Sequence, residues 1–159
     1  MTLLKKYPAL RNGWFIAATV LFVVDRLCKY WSLQGHSYYR GSAVAFWAFR
    51  NTGIAFSLPL AAKIFWPAAL VIFAVLIFFF VKSFSAGAAR AGLYWLVLLG
   101  ALSNLIDRAT LGATSDYLIF FNRSAVNIAD GMIILGLLIL CFGKSDNRVS
   151  SSEPTGTGL

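Results

Sequence analysis

AGLYWLVLLGALSNLIDR, residues 91–108, decides how the chain is read. It carries no charge until Asp107, and its polar side chains crowd its last turn and a half as Ser103, Asn104, Asp107 and Arg108. Its length is close to the ~20 residues that cross a bilayer as a helix. Three more apolar runs of that kind lie on either side of it, roughly Gly13–Trp31, Lys63–Val81 and Ala125–Phe142. Composition agrees. Apolar types make up 59% of the 159 residues and charged types 13%, against ~25% charged in soluble domains. A soluble fold of this size could not cover itself with so few charges. A nucleic-acid module, a coiled coil and a disordered chain are excluded as descriptions of the whole. The net charge of +8 fits basic residues flanking spans rather than a nucleic-acid partner.

The first run resembles a cleavable signal sequence at its start, where Lys5, Lys6 and Arg11 precede apolar residues. Asp25, Arg26 and Lys29 occupy the place of a small-residue cleavage site, so the run reads as a retained helix. Basic residues also flank the other presumed inner ends: Lys82, Arg90, Lys144 and Arg148. Both termini are therefore expected in the cytoplasm. The expected organisation is one four-span domain over residues 1–149 and a disordered cytoplasmic tail over 150–159, rich in Ser, Thr and Gly. The connection between the first two runs, about Ser32–Ala62, is long and aromatic. Two readings stand for it: a small extracytoplasmic β element, or an interfacial aromatic belt. The fold class expected is thus an all-α membrane protein of four transmembrane helices, with a small β element between helices 1 and 2.

Ionisable groups within apolar helices cost at least ~2.5–3.5 kcal/mol each on insertion scales, so they mark pairs, wet cavities or function. Counted along the helices, Asp25 lies roughly 18 Å from the inner start of its run at ~1.5 Å per residue. Asn104 and Asp107 lie near an outer end, and Asp130 about a turn below one. All fall in one layer near the outer surface. Asp25 and Lys29 share a helix face, Asn104 shares one with Asp107 and Arg108, and Asn127 and Asp130 are spaced i, i+3. Asp25 with Lys29 and Asp107 with Arg108 can equally be structural ion pairs. Asp116 and Asp130 have no basic neighbour in sequence. Two such carboxyls side by side can share a proton, one acting as base on water while the other polarises a carbonyl. Nucleophile motifs are absent: no Gly-x-Ser-x-Gly, no His near a Ser, no Cys–His pair. Cys28 and Cys141 lie in apolar runs and His36 is the only histidine, so no metal, no disulfide and no cofactor is expected. A proton-coupled transporter using Asp25, Asp107 and Asp130 as relays is the alternative, and a non-catalytic membrane scaffold a third. A transporter predicts carboxylates spread through the membrane depth rather than one layer.

Five segments occur in order: Asp25–Lys29 (DRLCK), Asn51–Phe56 (NTGIAF), Gly100–Arg108 (GALSNLIDR), Ser115–Tyr117 (SDY) and Asn127–Asp130 (NIAD). Together they resemble bacterial lipoprotein signal peptidase (signal peptidase II). The resemblance implies an intramembrane aspartic endopeptidase of the cell inner membrane, working near the outer leaflet surface, with membrane lipids around it. Its substrates would be prolipoproteins cut before a diacylglyceryl-modified cysteine. It implies catalytic Asp116 and Asp130, and substrate contacts at Asn51, Gly53, Asn104, Arg108 and Asn127. Asp25, Lys29 and Asp107 would give structural polar support, and the enzyme would act as a monomer. Cys28, Leu99, Ser103, Ser115 and Val126 depart from the family pattern. None removes a catalytic group; Leu99 and Ser103 replace glycines and bear on packing and substrate range.

Overall fold

The structure, a computed structural model, describes residues 8–40, 43–53, 61–88, 90–121 and 123–143. The basic flanks Lys5, Lys6, Lys144 and Arg148, the tail from Ser150, and Ile54–Phe56 of the second motif lie outside the described residues.

Four helices carry the four apolar runs. They are α1 (Pro8–Leu33), α2 (Ala62–Ser85), α3 (Arg90–Leu111) and α4 (Ile128–Phe142). Lys63–Ser85 is long and apolar enough by composition to cross a membrane; α1 and α3 dilute their apolar runs with the polar groups noted above, and α4 is apolar but only 15 residues long. α3 is the central element. α1, α2 and α4 all pack on it, around a core of Ala18, Leu96, Leu99 and Met132. Close approach of α3 and α4 depends on glycine. A Cβ on Gly100 would lie 2.7 Å from the Ala129 carbonyl oxygen, and Gly136 sits against Val97 and the Leu93 carbonyl in the same way. Leu99 fits beside Gly100 as a core residue, so this departure from the family pattern is absorbed by packing. Outward faces of α1, α2 and α4 carry exposed large apolar side chains such as Val20, Leu70, Phe78 and Ile134.

A sheet caps one end of the bundle, and it corrects two expectations. The β element is not confined to the connection between the first two helices. That connection gives β1 (Tyr38–Arg40) and β2 (Val44–Asn51), while the connection between α3 and α4 gives β3 (Thr114–Phe120) and β4 (Ser124–Val126). The four strands form one antiparallel sheet in the order β1-β2-β3-β4. The fourth helix also starts later than the apolar run, because Ala125 and Val126 are strand residues paired with Ile119 and Leu118. An apolar run cannot by itself distinguish a strand-plus-helix from a longer helix. Asp116, in the connection before the fourth helix, lies in a central strand. Opposite Tyr117 the register of β2 gains one residue between Phe46 and Phe49, a bulge of the kind that re-aims side chains.

Candidate active site

β3 alternates, as strands do. Thr114 and Asp116 line a cavity, while Tyr117 turns to the opposite side, where its hydroxyl meets Asp25 of α1 and the Ile128 N–H of α4. α3 divides its polar residues the same way. Asn104 and Arg108 line the cavity, whereas Ser103 and Asp107, one residue earlier in each case, are fully buried toward α1. Residues four apart share a helix face and adjacent ones stand ~100° apart. Two separate polar assemblies result.

The first is closed. Lys29, with no exposed surface, lies 2.9 Å from Asp107 Oδ2 and 3.2 Å from Asp25 Oδ2. It also donates to Asn104 Oδ1 at 2.9 Å and Ser103 Oγ at 3.2 Å. Arg26 reaches Asp107 Oδ1 at 2.5 Å. Ser103 Oγ donates to Asp25 Oδ2 at 2.6 Å, so the serine that departs from the family pattern is part of the network. The two acids and two bases balance. The pairing differs from the one expected: Asp107 joins Lys29 and Arg26, not Arg108. The Arg108 guanidinium instead donates to the Gly53 carbonyl and sits 4.5 Å from the centre of the Phe65 ring. Sequence neighbours on a helix do not face each other, so the i, i+1 pair was geometrically unfavoured.

The second assembly opens on a cavity of about 890 Å³. Asp116 and Asp130 both line it, with Asn51, Asn104 and Arg108. Beyond these, its wall is largely apolar, with Phe65, Ile72, Phe73 and Leu76 of α2 facing Leu105 and Ile133. Asn127 Nδ2 donates to Asp116 Oδ1 at 2.6 Å and Asn51 Nδ2 to Asp116 Oδ2 at 3.1 Å. Asn104 Nδ2 donates to Asp130 Oδ1 at 2.8 Å. Asn127 is also the cap of α4. Its Oδ1 accepts the Asp130 N–H at 2.9 Å, and Asp130 Oδ2 accepts the Asn127 N–H at 3.2 Å, a reciprocal capping box. One asparagine thus ties both aspartates. Asn51 Oδ1 accepts the Gly53 N–H at 3.1 Å.

The structure brings Asp116, Asp130, Asn51, Asn104, Arg108 and Asn127 together. It places Asn127 and Gly53 as buried supports at the edge of the site rather than on the cavity wall. Asp25, Lys29 and Asp107 lie in the closed assembly, away from the cavity. Arg26, Ser103 and Tyr117 were not singled out as site residues. Arg26 and Tyr117 sit inside the quoted motifs, but only the chain's folding reveals their partners, 77 to 92 residues away. Among the described residues no three His, Cys, Asp or Glu side chains converge as metal ligands, and amide donors occupy the aspartate oxygens.

Burial pushes the Asp116 carboxyl, on the sheet, up to about 6. The Asn51 hydrogen bond opposes the rise, the neighbouring Asp130 adds to it, and Asn127 and Lys29 oppose it. The unfolded value is ~3.9. The folded chain therefore binds the extra proton between about 4 and 6, and this group's contribution to stability falls as pH rises through that window. Burial, and then the Asp25 carboxylate, hold the Tyr117 phenol above its ordinary value, so it stays a neutral hydroxyl.

Residues 17–144 match the family described as signal peptidase (SPase) II. The chain is 34% identical over 153 residues to the lipoprotein signal peptidase of Shewanella amazonensis, covering 88% of this chain and 90% of that one. It is 31% identical over 142 residues to that of Psychromonas ingrahamii, covering 81% and 82%. It is 32% identical over 160 residues to that of Nostoc punctiforme, covering 94% and 97%. A solved bacterial membrane enzyme, determined by the in meso method, has the same fold at a TM-score of 0.71 and 22% identity, covering 90% of this chain and 94% of that one.

Proposed function

The chain belongs to the signal peptidase II family, and we propose that it removes signal peptides from prolipoproteins as an aspartic endopeptidase, with Asp116 and Asp130 as the catalytic pair. The observation that carries this reading is their shared place. Two carboxyls, one from β3 and one from α4, are contacted by neutral amides and stand on the wall of a largely apolar cavity.

In this reading one aspartate is ionised and the other protonated. The ionised one takes a proton from water as it attacks the scissile carbonyl, and the protonated one donates to the carbonyl oxygen. The proton taken from water then passes to the leaving amine. Asn51 and Asn127 orient Asp116, and Asn104 orients Asp130. Arg108 holds the Gly53 carbonyl at the edge of the cavity. The apolar wall suits the acyl chains of a diacylglyceryl-modified cysteine, which would place the scissile bond beside the pair. The transporter alternative would need Asp25 and Asp107 free to relay protons; both are locked in a charge-balanced buried cluster, which weighs against it.

We place all four helices across the bacterial inner membrane. In this arrangement residues 1–149 form one domain, 150–159 a cytoplasmic tail, the sheet lies at the outer leaflet, both termini lie in the cytoplasm, and the unit is a monomer. A reporter fused after Gly143 should then be active only on the cytoplasmic side; activity on the other side rules the arrangement out. The function is tested with purified enzyme, a diacylated prolipoprotein and its unlipidated form, reading product mass. The lipidated substrate should be cut far faster, since remote binding energy is used to position the bond and its loss lowers kcat as well as affinity. Equal turnover of both forms would refute lipid recognition, and no product from either would refute the activity.

A further inference from the structure

We infer that Tyr117 is a positioning residue for the Asp116–Asp130 pair, its phenol oxygen joining the strand that carries one carboxyl to the helix that carries the other. The inference rests on the catalytic reading just given. Tyr117 follows Asp116 in β3, is 1% exposed, and packs with its ring centre 5.5 Å from that of Phe46, tilted by 50°, beside the β2 bulge. Its hydroxyl donates to Asp25 Oδ1 at 2.8 Å and accepts the Ile128 N–H at 3.1 Å. Asp25 Oδ1 also accepts the Ala129 N–H at 3.1 Å.

The first N–H groups of a helix have no partner within the helix. At α4 each of the first ones is met by a side chain. Asp130 Oδ2 takes Asn127, Tyr117 takes Ile128, Asp25 takes Ala129, and Asn127 Oδ1 takes Asp130. Two of these partners, Asn127 and Asp130, belong to α4's own end and can fix only its local shape. The other two come from β3 and α1 and fix where that end sits. Tyr117 is the one of these two that is covalently adjacent to Asp116. A rotation of α4 about its start would carry Asp130 away from Asp116, and the phenol's two bonds oppose it. A loss of reacting geometry of ~1 Å costs ~100-fold in rate.

Tyr117→Phe keeps the ring against Phe46 and removes only the hydroxyl. Assayed on lipidated prolipoprotein at matched amounts of folded enzyme, it should lower kcat about 10- to 100-fold and leave KM within about twofold, because the acyl-binding wall is untouched. Trp95→Phe, which removes the bond from Trp95 Nε1 to Thr19 Oγ1 at 3.3 Å on the far part of α3, controls for mere destabilisation and should leave kcat unchanged. An unchanged kcat in Tyr117→Phe, or a rise in KM alone, overturns the inference. So does an equal fall in Trp95→Phe.

The variant also leaves the Ile128 N–H orphaned in the interior, which destabilises. Ile128→Pro deletes that donor at the first helical position, where proline is tolerated. Added to Tyr117→Phe, it keeps the test open if the single variant folds poorly. The pair should recover folding and still show the low kcat; recovery of kcat would show that the hydroxyl only satisfies a donor. Asp116→Asn is run beside them. If it cleaves normally, the catalytic reading fails. If it is inactive while Tyr117→Phe keeps full kcat, only the tyrosine inference fails.

Discussion

Ser103 and Asn104 are adjacent on α3, as are Asp107 and Arg108, yet each pair is split between two enclosures. Ser103 and Asp107 enter a sealed assembly with Asp25, Lys29 and Arg26, where acids and bases balance and nearly every oxygen and nitrogen has a partner. Asn104 and Arg108 face the cavity, where Asp116 and Asp130 meet amide donors and no base among the described residues makes an ion pair with either. Burial of charge is tolerated in the first because it is neutralised in place. In the second no ion pair closes on either carboxyl among the described residues, and burial raises the Asp116 carboxyl to about 6. A compensated cluster is suited to fixing a fold, and an uncompensated one to holding a proton near neutral pH. The two are joined at defined points. Asp107 Oδ2 accepts the Ser115 N–H at 3.1 Å, Asp25 holds Tyr117 and Ala129, and Lys29 touches Asn104. The residues on either side of Asp116, and the one before Asp130, are therefore anchored by the sealed assembly.

The sharpest way to break the comparison is to remove the uncompensated acids. Asp116→Asn and Asp130→Asn should each lower cleavage by at least about 1000-fold, while the folded yield stays near that of the parent. The double variant should be about as inactive as either single one, because the pair acts as a unit. Product formation by each variant, and kcat/KM of the parent against pH, are the measurements. In the parent, kcat/KM should fall as pH drops through about 6, where the Asp116 carboxyl takes up its proton and the ionised base is lost. Substantial cleavage by either single variant would place the chemistry elsewhere.

Next in size is the converse change. Lys29→Met removes one base from the sealed assembly and leaves Asp25 and Asp107 with excess buried negative charge. Losing one partner of a buried pair costs about 3–5 kcal/mol, so the loss should register in detergent-solubilised denaturant stability and in folded yield. Adding Asp25→Asn to Lys29→Met should recover part of it, since the amide carries no charge to compensate. Cleavage per folded molecule should fall less than in the aspartate variants. A Lys29→Met protein as stable as the parent would remove the distinction between the two assemblies.

Much of this division was legible in the residues. Four helices follow from four apolar runs, and the gathering of polar groups at one end of the bundle follows from counting along them. Asp116 and Asp130 stood out because neither had a base nearby in sequence, and they do meet at one cavity. The partner of Asp107 was not legible. Arg108 is its neighbour in sequence, but Lys29 and Arg26 are its neighbours in space, and only the packing of α1 on α3 decides that. The sheet was half legible for a related reason. Tyr38–Asn51 has aromatic, β-leaning residues, whereas Ala125 and Val126 read as the start of a helix until their pairing with β3 is known. Strand pairing between segments some 70 residues apart leaves no local mark on either.

The smallest expected effect tests whether the sealed assembly's strength follows burial rather than charge count. Arg26 and Lys29 each bring one positive charge to Asp107, but their surroundings differ: the Arg26 side chain is 31% exposed and that of Lys29 not at all. In Arg26→Gln, Asp107 keeps Lys29 at 2.9 Å and the Ser115 N–H at 3.1 Å, and it is still compensated. The lost pair is partly exposed, where such contacts contribute up to about 1 kcal/mol. Arg26→Gln should therefore destabilise the fold by about 1 kcal/mol and keep most of the cleavage rate. The check is denaturant stability measured beside Lys29→Met. Equal losses from the two variants would mean that each positive charge counts alike, and that the closed enclosure around Lys29 adds nothing of its own.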